Sequence, residues 1–209
     1  MEGSSQSQAL STVGFETAKA NMAYDTQLLM HLPDDRPMVR VYLWQTPGIT
    51  VSFKQTCPAH MAHIDHAIRP TGGGIVYHSP GDVVFALASH NHVHKQKPTH
   101  TLTMISSKIN HALALANVSL DAGPLPGLKD PSFCQTYPTP FELSVNGKKI
   151  CGLTIRQFKT NWLVQGIIHA SPTHQSLHPF VLRDHKITTK FDSSSIQKHL
   201  INALSSSII

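Results

Sequence analysis

The chain has 209 residues, 40% hydrophobic and 14% charged, with a formal net charge of +5 when histidines are neutral. That length supports one substantial hydrophobic core, and the composition excludes wholesale disorder. No apolar run reaches the roughly 18 residues that a membrane-spanning helix needs, and the 17 Lys and Arg residues are dispersed, without the basic cluster or aromatic ladder of a nucleic-acid binder.

Residues 1–14, MEGSSQSQALSTVG, are polar and read as a disordered segment. They lack the basic start and apolar block of a secretory signal, so a cytoplasmic location is expected. Residues 15–209 are expected to form one domain. FETAKANMAYDTQLLMH (15–31) reads as an amphipathic helix, with Phe15, Met22, Leu28 and Leu29 near one stripe. After the turn DDRP, RVYLWQT (40–46) and ITVSFKQ (49–55) read as strands joined through Pro47-Gly48. A glycine cluster in RPTGGGIVYH (69–78) leads into IVYH, and VVFALAS (83–89) is a further apolar, β-branched strand candidate.

THTLTMISSKINHALALAN (99–117) reads as a second helix, with Thr99 or Thr101 as its cap. A proline-rich loop over 118–140 follows, and loops of that length are usually functional or mobile. ELSVNGKKICG carries the strongest local signal: Asn146-Gly147 between apolar segments specifies a type I′ hairpin. WLVQGIIHAS (162–171) is another strand, and SSSIQKHLINALSS a final helix capped by a serine. Strands interspersed with helices predict an α+β, or mixed α/β, fold: one mostly antiparallel mixed sheet with flanking helices.

Four groups of residues have chemical potential. Gly72, Gly73 and Gly74 let backbone N–H groups approach an anion or an acyl carbonyl. Arg69 beside them adds a fixed positive charge, although a plain inter-strand turn has the same composition. Lys149 sits on a rigid hairpin strand. Alternation places it on one face with Cys151, opposite Lys148 and Ile150; a solvated edge lysine is the ordinary alternative. Cys134, in the long loop, is a candidate nucleophile if a cation stands near it. Cys57 and Cys151 read as packing residues, and three scattered cysteines make no disulfide framework. His90, His92 and His94, like His60, His63 and His66, have spacings that a zinc site uses, but they lie in polar stretches without an obvious fourth ligand. No metal site is assigned.

In order along the chain, these segments resemble the biotin/lipoate protein ligase catalytic domain family, on the lipoate–protein ligase and octanoyltransferase side. ANMAYDTQLL resembles its opening helix, WQTPGITVSFKQ its strand pair, RPTGGGIVYH its acyl-binding loop, and NGKKICG its lysine hairpin, followed by WLVQGIIH. The resemblance covers roughly residues 18–175. It implies an elongated pocket for an octanoyl or lipoyl chain, lined by Arg69, Gly72, Gly73, Gly74, Val76, His78 and Gly152, with Lys149 holding the activated carbonyl or a phosphate.

The motifs also depart from the family pattern. His78-Ser79-Pro80-Gly81-Asp82 replaces His-Asp-x-Gly-Asn, Gly152-Leu153-Thr154-Ile155 replaces Gly-x-Ala-Gln, and Gln165-Gly166 replaces His-Gly. About 35 residues follow residue 175, too few for the C-terminal accessory domain that ligases commonly carry. The favoured implication is a lipoate–protein ligase that uses ATP and Mg2+ to form lipoyl-AMP. It then acylates a lysine of a lipoyl carrier domain, in 2-oxoacid dehydrogenases or the H-type protein of the glycine cleavage system. The alternative is an octanoyl-acyl carrier protein:protein octanoyltransferase with Cys134 as thioester nucleophile and no cofactor. Cys134 stands in a C-x7-E-L run, which resembles the nucleophile position of the family's cysteine octanoyltransferases. A third reading is a non-catalytic acyl-binding homologue.

Overall fold

The computed structural model describes residues 8–11, 14–34, 36–92, 97–122, 133–134, 139–181 and 185–205. In chain order the elements are β1 (Gln8–Ser11), α1 (Ala18–Leu28), β2 (Met38–Leu43), β3 (Gly48–Ser52), β4 (Asp65–Arg69) and β5 (Val76–His78). They continue with β6 (Val83–His90), α2 (Pro98–Leu115), β7 (Leu143–Val145), β8 (Lys148–Gln157), β9 (Asn161–Ile168) and α3 (Ser193–Ser205). Six strands form one sheet in the order β1-β2-β6-β9-β8-β7, antiparallel except for β1 beside β2. A second sheet, β4-β3-β5, pairs β3 with β4 in parallel and with β5 antiparallel. The fold is therefore α+β, as the strand and helix pattern predicts.

The large sheet is covered on both faces, which explains why β6 and β9 are buried along nearly their whole length. Alternation sorts their side chains. Val83, Phe85 and Leu87 of β6, with Trp162, Val164 and Ile168 of β9, join the core formed with α2 and α3. Val84 and Ile167 point the other way, into a smaller cluster with Met22, Trp44, Ala67 and Val76. That second cluster lies between the large sheet, the small sheet and α1, and the candidate site opens within it. Gly166 is required by the first core: a Cβ there would stand 2.1 Å from the Phe85 ring.

Several local features differ from the sequence reading. Gln8–Ser11, within the stretch read as disordered, lies along β2 as a strand. The segments on either side of Pro47-Gly48 are strands, but they do not pair; one belongs to each sheet. The α1 face that turns inward is partly polar. Asn21 and Asp25 are fully buried there, while Phe15 is 40% exposed. Burial of Arg40 is the cause: its guanidinium donates to Asp25 Oδ1 at 2.6 Å and to Asn21 Oδ1 at 2.9 Å. Removing one partner of so buried a pair costs about 3–5 kcal/mol.

Neither Thr99 nor Thr101 caps α2. Lys97 occupies the cap without a side-chain bond, and Pro98 starts the helix, where a missing N–H costs nothing. At α3 the cap is Asp192, whose Oδ1 accepts from the N–H groups of Ser194 and Ser195 at 3.0 Å, and not a serine. No helix of the described residues is long and apolar enough to cross a membrane.

Candidate active site

The glycine loop connects β4 to β5 and is shaped from inside by Arg69, which is 4% exposed. Its Nε donates to Gly72 O at 3.2 Å. Its Nη2 donates to Gly72 O at 2.7 Å and Gly74 O at 2.6 Å, and its Nη1 to Thr50 O at 3.0 Å and Thr50 Oγ1 at 3.4 Å. Those contacts engage every N–H that a guanidinium has. Arg69 therefore braces the loop from within and supplies a buried positive charge there. Gly73 sits at φ +95, a backbone region suited to glycine, and a Cβ there would stand 3.0 Å from Arg69 Nη2 and 3.9 Å from Cys134 Sγ.

The hairpin forms as its turn residues require, with Asn146 at φ 52 and Gly147 at φ 70. The facing of its second strand differs from simple alternation. The register shifts so that Leu143 pairs with Cys151 while Ser144 pairs with Lys149. Ile150 is the extra residue of that bulge. Ile150 and Cys151 thus both enter the core beneath α2, and Lys149 and Gly152 both line the opposite side. Lys149 and Cys151 do not share a face. Burial pushes the Cys151 thiol up to about 12, so it stays a packing residue. Cys57 likewise packs at the edge of a core cluster.

Lys149, 5% exposed, donates to the backbone oxygen of Cys134 and to Glu142 Oε1. Its Nζ lies 3.8 Å from Cys134 Sγ. Cys134 is fixed through its N–H, which donates to Ile75 O at 2.9 Å, and through the bridge of Phe133 to Ile75. Burial raises the Glu142 carboxyl pKa, and the Lys149 ammonium beside it works in the opposite direction. Gly152 makes this cluster possible, because a Cβ there would stand 3.1 Å from Lys149 Cε and 3.9 Å from Cys134 Sγ.

Cys134 and Gly152 form part of the wall of a mostly apolar cavity, to which Met22, Val76, Val84 and Ile167 also contribute. Arg69 and His78 line it too. His78 stacks on Trp44, ring centroids 3.9 Å apart, and its Nε2 meets Thr50 Oγ1 at 2.9 Å. Burial holds its pKa well below the ordinary histidine value, with His169 and Arg69 nearby adding to the effect. A polar element closes the α1 side. Gln165 accepts from Thr71 Oγ1 at 2.7 Å and donates to Asp25 Oδ2 at 2.8 Å. A smaller recess joins Cys134, Lys149 and Gly152 to His169.

Of the residues expected from sequence, Cys134, Lys149, Gly152, Arg69, Val76 and His78 converge on this cavity. Gly73 leaves the space beside Cys134, while Gly72 and Gly74 present carbonyls to Arg69. The sequence reading missed Met22, Thr50, Gln165, Glu142 and His169 as site residues. Period-two alternation along 163–169 was a usable signal for the last strand, since Gln165, Ile167 and His169 share one side. Of the histidines considered for zinc, the His90 and His92 rings stack with centroids 5.1 Å apart. Among the described residues no group of three or more His, Cys, Asp or Glu could hold a metal, and His94 lies outside them.

Curated protein sequences yield no match. Ta0514 of T. acidophilum, a structure with bound lipoic acid, is similar at TM-score 0.76 and 19% identity, over 96% of this chain and 85% of that one. Lipoate-protein ligase A bound with ATP is similar at TM-score 0.74 and 21% identity, over 96% and 84%. A bipartite archaeal lipoate protein ligase from Thermoplasma acidophilum, studied with its E2 lipoyl domain, is similar at TM-score 0.67 and 16% identity, over 96% and 82%. At these identities the likeness establishes the fold. The lipoyl protein ligase A/B catalytic domain matches residues 17–206, so the chain belongs to that family.

Proposed function

We propose that the protein transfers an octanoyl or lipoyl group to a lysine of a lipoyl carrier domain through a thioester on Cys134. The observation that carries this reading is the 3.8 Å between Cys134 Sγ and Lys149 Nζ, beside a mostly apolar cavity that Cys134 lines. A thiolate is the reactive form of cysteine, and a buried ammonium at that distance stabilises it electrostatically. Arg69 adds a second positive charge from the glycine loop, on the wall of the same cavity as Cys134.

In the first step the Cys134 thiolate attacks the carbonyl of an acyl thioester, such as octanoyl-acyl carrier protein. The new C–S bond forms, the donor's C–S bond breaks, and the donor thiolate leaves and takes a proton from water. Lys149 is close enough to donate to the oxyanion between these events. In the second step the carrier lysine displaces Cys134 and an amide forms. Carrier lysines of the E2 type are the expected acceptors, given the relative studied with its E2 lipoyl domain; an H-type carrier is an equivalent chemical acceptor. A reduced Cys134 also suits the cytoplasmic location proposed for the chain.

ATP-dependent ligation through lipoyl-AMP is the second reading, favoured by the likeness to lipoate-protein ligase A bound with ATP. Lys149 and the glycine loop would then face the phosphate, with Mg2+ arriving with the nucleotide. The full engagement of Arg69 by Thr50, Gly72 and Gly74 weighs against it.

Purified protein, an apo E2 lipoyl domain, and either octanoyl-acyl carrier protein or lipoate with MgATP separate the readings. The thioester reading expects octanoyl transfer without ATP and a loss of about 1,000-fold or more in Cys134→Ala. Lipoylation by Cys134→Ala with MgATP would instead support the ligase. An absence of both reactions in the wild type would point to a non-catalytic homologue.

A further inference from the structure

Resting on the thioester reading, we infer that Arg156 and Lys54 form a phosphate site that holds the phosphopantetheine arm of the acyl donor. The donor in that reading, an acyl carrier protein, presents its acyl group on the thiol end of this arm. The other end of the arm is a phosphodiester. An enzyme that takes the acyl group at Cys134 therefore meets an anion at a fixed reach from the sulfur.

β8 and the glycine loop run side by side from Cys134 to a point at that reach. A Cβ on Gly152 or on Gly73 would stand 3.9 Å from Cys134 Sγ. One step along, a Cβ on Gly72 would stand 3.9 Å from Thr154 Oγ1. At the end of this seam Arg156 Nη1 donates to Pro70 O at 2.8 Å. Beyond the bulge, Gly152, Thr154 and Arg156 share one side of β8, and Arg156 is half-buried. It stands four residues past Gly152, which in a strand is about 13 Å. The arm has roughly thirteen bonds between phosphorus and sulfur, which reach about 15 Å at the about 3.5 Å per three bonds of an extended chain.

Two cations converge there. Arg156 Cζ lies 3.8 Å from the Phe53 ring centroid and 4.7 Å from that of Phe158, and Lys54 Nζ lies 5.5 Å from the Phe53 centroid. Phe53 is itself tied to the loop, its N–H donating to Thr71 O at 3.3 Å. The aromatic faces hold the guanidinium plane, and a guanidinium fork matches phosphate geometry. Among the described residues no carboxylate forms an ion pair with either cation. The surrounding sequence is poor in acid. Residues 143–183 contain no Asp or Glu, and residues 36–81 contain Asp65 alone, whose Oδ2 accepts from Ala18 N at 2.7 Å. Two like charges gathered on one ring repel, and an anionic ligand between them removes that repulsion.

The octanoyl thioesters of pantetheine and of 4′-phosphopantetheine differ only in the phosphate, and they test the site. Acylation of Cys134 by each ester is followed by intact mass, and the ratio of the two second-order rate constants is the readout. In wild type the phosphorylated ester should react about 10-fold faster or more, the worth of one hydrogen bond between charged groups. Added salt should shrink that ratio. Arg156→Gln and Lys54→Gln should each bring it towards one. Both esters meet the same variant, so a shifted loop or a loss of folded protein lowers both rates and leaves the ratio. Equal rates in wild type, or a ratio that survives both substitutions, would overturn the phosphate site. Weakened ATP-dependent lipoylation in Arg156→Gln, beside a wild-type ratio of one, would assign the cations to a nucleotide phosphate instead. Acylation of Cys134 by neither ester would sink the thioester reading itself, and this inference with it.

Discussion

Gly152→Ala adds one methyl group at the point where Lys149 and Cys134 meet. The new carbon would lie 3.1 Å from Lys149 Cε, 3.5 Å from Nζ and 3.9 Å from Cys134 Sγ. Carbon atoms settle at about 3.5–4.0 Å, so Lys149 must retreat by roughly half an ångström. It has little room to do so, because Glu142 and the Cys134 carbonyl hold its ammonium in a buried site. The displacement therefore falls on the Nζ–Sγ approach. Misplacement approaching 1 Å at a reacting group costs up to about 100-fold in rate, so acylation should slow about 10- to 100-fold. Thermal stability should fall by less than about 1.5 kcal/mol, as for a small overpacking that a side chain can partly absorb. Single-turnover acylation of Cys134, read beside a thermal melt, measures both. Wild-type acylation in a folded Gly152→Ala protein would refute the argument that this glycine exists to bring the two side chains together.

Gly166→Ala should act on stability instead, since its Cβ would overlap the Phe85 ring at 2.1 and 2.5 Å. A loss of about 1–3 kcal/mol in chemical denaturation is expected, partly recovered with Phe85→Leu. His78→Phe should flatten the acid side of the stability profile while keeping the stack on Trp44. Burial depresses the folded pKa of His78, so its contribution is complete above about pH 6.5, the ordinary histidine value. As pH falls below that, the unfolded chain takes up a proton that the folded chain refuses, and stability drops by up to about 1.4 kcal/mol per pH unit. An unchanged acid slope in the variant would contradict this sign.

What the sequence made legible follows from how local each signal is. Asn146-Gly147 specifies its own turn, and both residues adopt the left-handed conformation that a type I′ hairpin needs. The strands at 83–89 and 162–171 were legible because each is an apolar run, whereas the sides their residues face emerged only from the sheet pairing. Lys149 was placed on the wrong face because the bulge arises from pairing with Leu143 and Ser144, which no single-strand pattern contains. Arg69 looked like a ligand-binding charge because its partners Gly72 and Gly74 are carbonyls, invisible as residue types. His169 and Asp82 are 87 residues apart, and the antiparallel pairing of β6 with β9, Val83 opposite Ile168, brings them together. Asp192 took the helix cap from the serines beside it because its carboxylate reaches two N–H groups at once.

The central claim is that Cys134 carries the acyl group. Intact-mass analysis of the wild-type protein after incubation with octanoyl-acyl carrier protein, without ATP, tests it most directly. A mass gain of one octanoyl group, located at Cys134 by peptide mapping, removed by hydroxylamine and lost on adding apo lipoyl domain, is the predicted result. An unmodified Cys134 in a protein that still acylates the lipoyl domain would contradict it.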